Sequence, residues 1–346
     1  MASPMLTRIV RFLIVAAVAA VLLVFVWPQA FGLQNTWVIA HAVSLRGLAV
    51  AAAGILVLVL LVLARFRPWR RTMTVFIVLT LLFGVANVGI LTSRGLGTES
   101  AAQAAPASES VTVLSWNTLG DAPGAATIAR LALEQEANVI TLPETTKEAG
   151  IAVAEAMREG GRPMWVHTLA FDQISKARST TLLISPDLGD YTVTNEAGSG
   201  PPGNTNVLPT VVATPSDGTG PTIVAVHAVA PIEFEMSNWR SDLDWLAEQC
   251  QNDNIIMAGD FNATIDHMSG RGSDNGAVLG DCHDAALSTG SGAVGTWTTK
   301  IPALLGSPID HILASSNWTV ADMRVITSLD SAGSDHRPIV ATVTSP

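Results

Sequence analysis

Hydrophobic positions fall along this chain in two different patterns. Three long apolar runs come first: Ile9 to Trp27, broken only by Arg11, then Gly47 to Ala64, then about Thr72 to Leu91. Each approaches the roughly 20 residues a helix needs to cross about 30 Å of hydrocarbon. The pattern predicts three transmembrane helices, at about 9–27, 47–64 and 72–92, within a membrane domain of residues 1–94. The first run has no convincing small-residue cleavage site and two more spans follow, so it reads as a retained anchor. His41 and Arg46 lead into the second run. They mark either a site within the membrane or, the preferred reading, its outer interface.

Residues 95–110, GLGTESAAQAAPASES, are small and polar and read as a flexible linker. The second pattern begins at residue 111, where apolar runs become short and β-branched. Strands are expected at 111–118, 138–145, 180–185, 191–197, 206–214, 222–229, 254–262, 309–315, 318–326 and 338–344. Helical spacing appears at 125–136, 148–159 and 237–251. Many strands with few helices between them predict an α+β domain over 111–346, two packed sheets with helices outside.

Charge sharpens this division. No Asp or Glu occurs before Glu99, and only 14% of the chain is charged against about 25% in soluble domains. Arg8, Arg11, Arg65, Arg67, Arg70 and Arg71 flank the spans on one side, against Arg94 on the other. The positive-inside tendency then puts the N-terminus in the cytoplasm and the domain after the third span outside, in a multi-pass protein of the cell membrane. That outer part carries 11 basic against 29 acidic residues, a balance of −18. A protein that grips nucleic acid through phosphates is ordinarily basic. An acidic one suits metal binding or a small phosphorylated substrate. Cys250 and Cys282 can pair in an oxidising exterior or remain two buried thiols, and their spacing does not choose.

Chemistry-bearing residues recur at strand ends. They are Asn117 in VLSWNTLG, Glu144 in ITLPET, His227 in VAVHAVAP, Asp260 and Asn262 in IIMAGDFNAT, Asp310 in SPIDHIL, and Asp335 with His336 in GSDHRPIVATV. Singly each has a plain explanation: a turn, a helix cap, a hydrogen-bonded core histidine. Jointly, in this order and at strand ends, they point to one pre-organised site.

The order Asn, Glu, His, Gly-Asp-x-Asn, Asp-His, Ser-Asp-His resembles the endonuclease/exonuclease/phosphatase superfamily. That group includes deoxyribonuclease-type nucleases, neutral sphingomyelinases and inositol polyphosphate 5-phosphatases. The resemblance covers roughly 111–345 and suggests a membrane-anchored, bacterial-type member. It implies a four-layered αββα sandwich and Mg²⁺-dependent attack of water on a phosphoester, with Mn²⁺ as a substitute. It implies Glu144 as the principal metal ligand, with Asn117 and Asp335 near the metal. Asp260 would activate the water and Asn262 hold it. His227 would donate to a non-bridging oxygen, and His336 would assist proton transfer with Asp310 fixing its tautomer. Arg178, in KARSTTLLIS, is the one evident phosphate-binding candidate, beside a plain reading as a surface residue at a strand start. Around His227 the sequence departs from the Thr-His-Leu of many relatives.

Three functions follow. The favoured one is a tethered phosphoesterase acting on a lipid-linked or small phosphorylated substrate, since tethering concentrates the site at the bilayer. An exported nuclease would use the same residues, but the acidic balance disfavours it. A non-catalytic tethered sensor or scaffold would not need every acid and histidine retained.

Overall fold

A computed structural model describes residues 4–97, 110–171, 174–193, 199–251, 253–273 and 276–345. Most of the expected linker, residues 98–109, lies outside the described residues, as does the end of the strand expected at 191–197. The chain divides into two compact units, Met1–Ser93 and Arg94–Pro346.

The first unit is helical: α1 (Pro4–Val26), α2 (Trp37–Ser44), α3 (Arg46–Leu63) and α4 (Arg70–Arg94). Three of these are long and apolar enough to cross a membrane, with mean hydropathies of 3.0 over Arg8–Val26, 2.6 over Arg46–Leu63 and 2.4 over Arg70–Arg94. Most of their Leu, Ile and Val side chains are exposed on the helices, an arrangement that water disfavours and hydrocarbon does not. Arg46 opens α3 and is buried. Its guanidinium donates to Asn87 Oδ1 at 2.6 Å and to Val26 O at 3.2 Å, satisfying a carbonyl that the end of α1 leaves open.

Among the described residues, twelve strands and five α-helices build the second unit. One sheet has the order β11-β12-β1-β2-β4-β3, from β11 (Thr319–Val325), β12 (Ile339–Thr344), β1 (Ser110–Ser115), β2 (Val139–Pro143), β4 (Ser179–Ile184) and β3 (Trp165–Ala170). The other has the order β5-β6-β7-β8-β10-β9, from β5 (Tyr191–Val193), β6 (Val211–Pro215), β7 (Thr222–His227), β8 (Ile255–Asp260), β10 (Asp310–Ser315) and β9 (Cys282–Asp284). Their inner faces form one core, in which Val113, Val139, Leu182 and Ile184 share a cluster with Ile223, Ala225, Ile256 and Ile312. Alternate residues of the first sheet point outward. Leu114, Ile140 and Leu142 there meet Ile128 and Leu131 of α5 (Ala125–Glu134) and Val153 and Met157 of α6 (Lys147–Glu159). Helix α6 starts where the Thr146 hydroxyl accepts from Ala149 N.

Beyond the other sheet, α7 (Met236–Gln249) buries Trp239, Leu243 and Leu246. Cys250 at its end contacts Met257 of β8. Cys250 also forms a disulfide with Cys282, tying the end of α7 to edge strand β9. Two single-turn helices, α8 (Ile265–Met268) and α9 (Ala285–Ser288), follow β8 and β9.

Candidate active site

The topology alone brings the motif residues to one rim. β1 and β2 run parallel, so Asn117 and Glu144 emerge at the same end. β12 is antiparallel to β1, pairing Ile339 with Ser115, and therefore delivers Asp335 and His336 to that end as well. In the other sheet β7 and β8 are parallel, with His227 opposite Asp260. β10 is antiparallel to β8 and pairs Asp310 with Asp260.

Local backbone details make this possible. Gly259 lies inside β8 with φ 154°, and a Cβ there would fall 1.9 Å from Val226 O. Its lack of a side chain lets β8 approach β7; it does not form the turn that Gly-Asp-Phe-Asn suggests in sequence. Glu144 and Asn262 both occupy the left-handed region, at φ 57° and 47°. Such positions cost energy in non-glycine residues and gather at functional sites.

The side chains form one network. Asn117 Nδ2 donates to Glu144 Oε1 and to Asp260 Oδ2, each at 3.1 Å. The Asn262 backbone N–H donates to Asp260 Oδ1 at 2.8 Å, and its amide donates to Ala228 O at 2.9 Å. His336 stands between two carboxylates, with Nδ1 2.9 Å from Asp310 Oδ2 and Nε2 3.8 Å from Asp260 Oδ2. Asp260, Asp310 and His336 are all buried and offer ligand-type atoms within 4.8 Å of one another. Ser334 secures the loop, donating to Asn117 O at 2.7 Å while accepting from His336 N at 3.0 Å.

Burial and charge set the protonation states. Burial raises the Asp260 carboxyl to about 7, with His336 and hydrogen bonds opposing and Asp310 assisting. Burial works against the His336 imidazolium, but the carboxylates of Asp310 and Asp260 more than reverse it and push the group up to about 10. Burial drives His227 down to about 3, helped by the nearby His336 charge, so that ring is neutral. Glu144 is raised, mainly by burial.

Arg178 is engaged elsewhere. Its guanidinium donates to the backbone carbonyls of Asn206 and Val207 and lies over the Phe171 ring. Residues that the sequence reading passed over support the site. Trp297 Nε1 donates to Asp335 Oδ2 at 3.0 Å. Thr296 Oγ1 accepts from the Asp310 backbone N–H at 3.1 Å. Arg337 is buried, pairs with Asp330 and donates to the carbonyls of Gly295, Thr298 and Ile301. Its place beside Ser-Asp-His is the one signal that could have singled it out. His311 has Nδ1 2.7 Å from Asp284 Oδ2 and Nε2 2.9 Å from Ala263 O.

Two sheets that converge on clustered carboxylates and imidazoles define the class: an α+β protein with a buried acid- and histidine-lined site between the sheet ends. The family follows from comparison. Residues 114–336 match the model of the Endonuclease/Exonuclease/phosphatase family, and the chain belongs to that family. A family protein from Bacteroides vulgatus superimposes with TM-score 0.51 at 15% identity, covering 69% of this chain and 100% of its own. One from Beutenbergia cavernae DSM 12333 gives 0.51 at 14%, covering 68% and 72%. TDP2 from D. rerio, humanized by 14 mutations, gives 0.50 at 14%, covering 68% and 99%. At these identities the likeness is one of fold. No curated protein matches the chain.

Family members are hydrolases acting on phosphoesters and generally depend on a divalent metal. The residues present fit such an ion. Four carboxylates, Glu144, Asp260, Asp310 and Asp335, face one imidazole, and the Oδ1 atoms of Asp310 and Asp335 are buried with no hydrogen-bond partner. Oxygen donors of this kind suit Mg²⁺ or Mn²⁺.

Proposed function

We propose that this chain is a membrane-anchored, extracytoplasmic phosphoester hydrolase, a four-layered αββα catalytic domain held at the bilayer by three spans. The observation that carries the reading is the convergence of Asn117, Glu144, Asp260, Asp310 and His336 on one rim. The outward orientation is supported by the arginines flanking the spans and by the Cys250–Cys282 disulfide, since disulfides persist in oxidising compartments.

Glu144 and Asp335 would hold Mg²⁺, with Asn117 beside them. Bound there, the ion would polarise the phosphoryl oxygens and neutralise developing charge. Asp260 accepts a proton from the attacking water. Its position is set by the Asn262 backbone N–H and the Asn117 amide. His336, charged through its pairing with Asp310, supplies a proton to the leaving oxygen as its bond to phosphorus breaks. Neutral His227 is a further donor at the same rim. Asn117 bonds Glu144 and Asp260 together and so fixes the spacing between the carboxylate that would hold the metal and the base. The acidic balance of −18 favours a lipid-linked or small substrate over nucleic acid.

The test is turnover by the full chain in detergent on a phosphodiester panel of water-soluble esters, phospholipids and DNA. The expectation is hydrolysis with Mg²⁺ or Mn²⁺, none with chelator, and losses above a hundredfold in Asp260→Ala and His336→Ala. Metal-independent activity, or activity that survives both substitutions, would refute the mechanism. Rapid degradation of DNA with phospholipids untouched would refute the substrate choice.

A further inference from the structure

Large apolar side chains that face solvent are distributed unevenly over the catalytic unit. Between Ser110 and Ser345, seven are exposed among the described residues, and five of them stand on loops at the catalytic rim. Leu119 follows Asn117 directly in the loop after β1. Ile174, 96% exposed, lies between β3 and β4, whose ends pair Ala170 with Ser179 beside Pro143 and Thr180, the end from which Glu144 emerges. Lys176 of that loop pairs with Asp121 at 3.0 Å and donates to Gly120 O at 3.3 Å, so this loop abuts the Leu119 loop. Ile232 and Phe234, the latter 81% exposed, follow His227 in the segment between β7 and α7, whose start is bonded through Ala228 O to Asn262. Leu304 sits in the segment before Asp310, which Arg337 holds through Ile301 O. The other two, Ile151 and Trp165, lie on α6 and at the opposite end of β3.

Single exposed apolar residues are ordinary, but a set gathered around one mouth marks an interaction surface. We infer that this rim seats the catalytic mouth on a lipid bilayer, with the apolar loop tips in the headgroup–acyl boundary, so that the substrate is an amphiphilic phosphoester presented at that surface. The substrate half of this inference rests on the hydrolase reading; the seat itself does not. Two observations select lipid as the occupant. The chain is continuous with three helices apolar enough to span a membrane. The second is the acidic balance of −18 in the part after the spans, which disfavours a nucleic-acid backbone as the occupant. Loop-borne Phe, Ile and Leu are the residue types that enter such an interface.

The disulfide uses both cysteines and leaves no free thiol, so single reporters can be introduced into the full chain. Phe234→Cys, Leu304→Cys and Ile151→Cys would each carry an environment-sensitive fluorophore in lipid nanodiscs, with and without spin-labelled phospholipid. The expected result is a blue shift and strong quenching at residues 234 and 304, with an aqueous spectrum at 151. Aqueous spectra at all three positions would overturn the inference, and so would equal quenching at 151. A second arm measures the ratio of turnover on a bilayer phospholipid to turnover on a water-soluble ester in the double variant Ile232→Ser/Phe234→Ser. That ratio is expected to fall roughly tenfold or more, because both side chains lose their gain on leaving water. An unchanged ratio would overturn the inference. If the unsubstituted chain turns over neither ester, the hydrolase reading fails, while the fluorescence still decides the seat.

Discussion

Replacing Asp310 with asparagine removes one charge and keeps an oxygen that can accept from His336 Nδ1, so it separates electrostatics from orientation. The Asp310 carboxylate lies 2.9 Å from the imidazole nitrogen, with charge centres about 4 Å apart. At that distance a partly shielded pair is worth about 4 kcal/mol, or about 3 pH units of imidazolium stability. The limb that His336 imposes on kcat/KM near pH 10 should therefore drop to about 7. Asp310 also raises Asp260 by like-charge repulsion, so the acid limb near 7 should move down as well, and bound metal lowers it further. The assay is a pH–rate profile on a soluble phosphodiester at saturating Mg²⁺. The variant should lose little at pH 6 and about a hundredfold at pH 9, where only about one ring in a hundred stays charged. The same pairing acts on stability. A group raised from 6.5 to about 10 stabilises the fold fully below pH 6.5 and ceases to do so as pH rises through 10. Asp310→Asn should accordingly lower Tm more at pH 6 than at pH 10. A uniform loss of rate at every pH, with both limbs unmoved, would refute the reasoning.

Other substitutions probe the scaffold. Gly259→Ala places a Cβ against Val226 O and should cost about 3 kcal/mol or more in thermal unfolding, with β8 pushed from β7. Cys282→Ser opens a link between residues 32 apart and should cost about 3–4 kcal/mol, a loss that dithiothreitol reproduces in the unsubstituted chain but not in the variant. His311→Leu leaves the buried Asp284 Oδ2 without its hydrogen-bond partner and should lower urea stability by about 2 kcal/mol. Trp297→Phe deletes a donor to Asp335 and should raise the Mg²⁺ concentration for half-maximal activity several-fold, with Tm nearly unchanged.

Legibility in the sequence followed the range of the physical signal. The apolar runs of the first unit are local, and α1, α3 and α4 lie where hydrophobicity put them to within a few residues. Buried strands such as β1, β2, β7 and β8 were visible for the same reason. β3 was not, because WVHTLA mixes polar residues on a half-exposed edge and carries no clean alternation. β9 spans only Cys282–Asp284 and owes its pairing to β10 and the nearby disulfide, which no local pattern records. The stretch expected as a strand at 206–214 becomes strand only from Val211, after Pro209 removes a donor. Arg178 carried the right chemistry for phosphate, yet the 206–207 segment that accepts its hydrogen bonds lies far along the chain.

The site illustrates the same limit from the other side. Asp260 and Asn262, or Asp335 and His336, are neighbours in sequence and legible as motifs. What joins them into one site is less local: Asn117 bridging Glu144 to Asp260, Asp310 pairing with His336, and Trp297 bonding Asp335. Each contact joins strands whose order is set by two sheets packing on one core. A motif therefore says which groups are present, while strand direction decides that they meet. Parallel β1 with β2 and β7 with β8, closed by antiparallel β12 and β10, leave one rim where all six segments end. Loops at that rim are free to vary without disturbing the core. Under the proposed reading, their exposed Leu, Ile and Phe are therefore better guides to the substrate than the buried acids of the site.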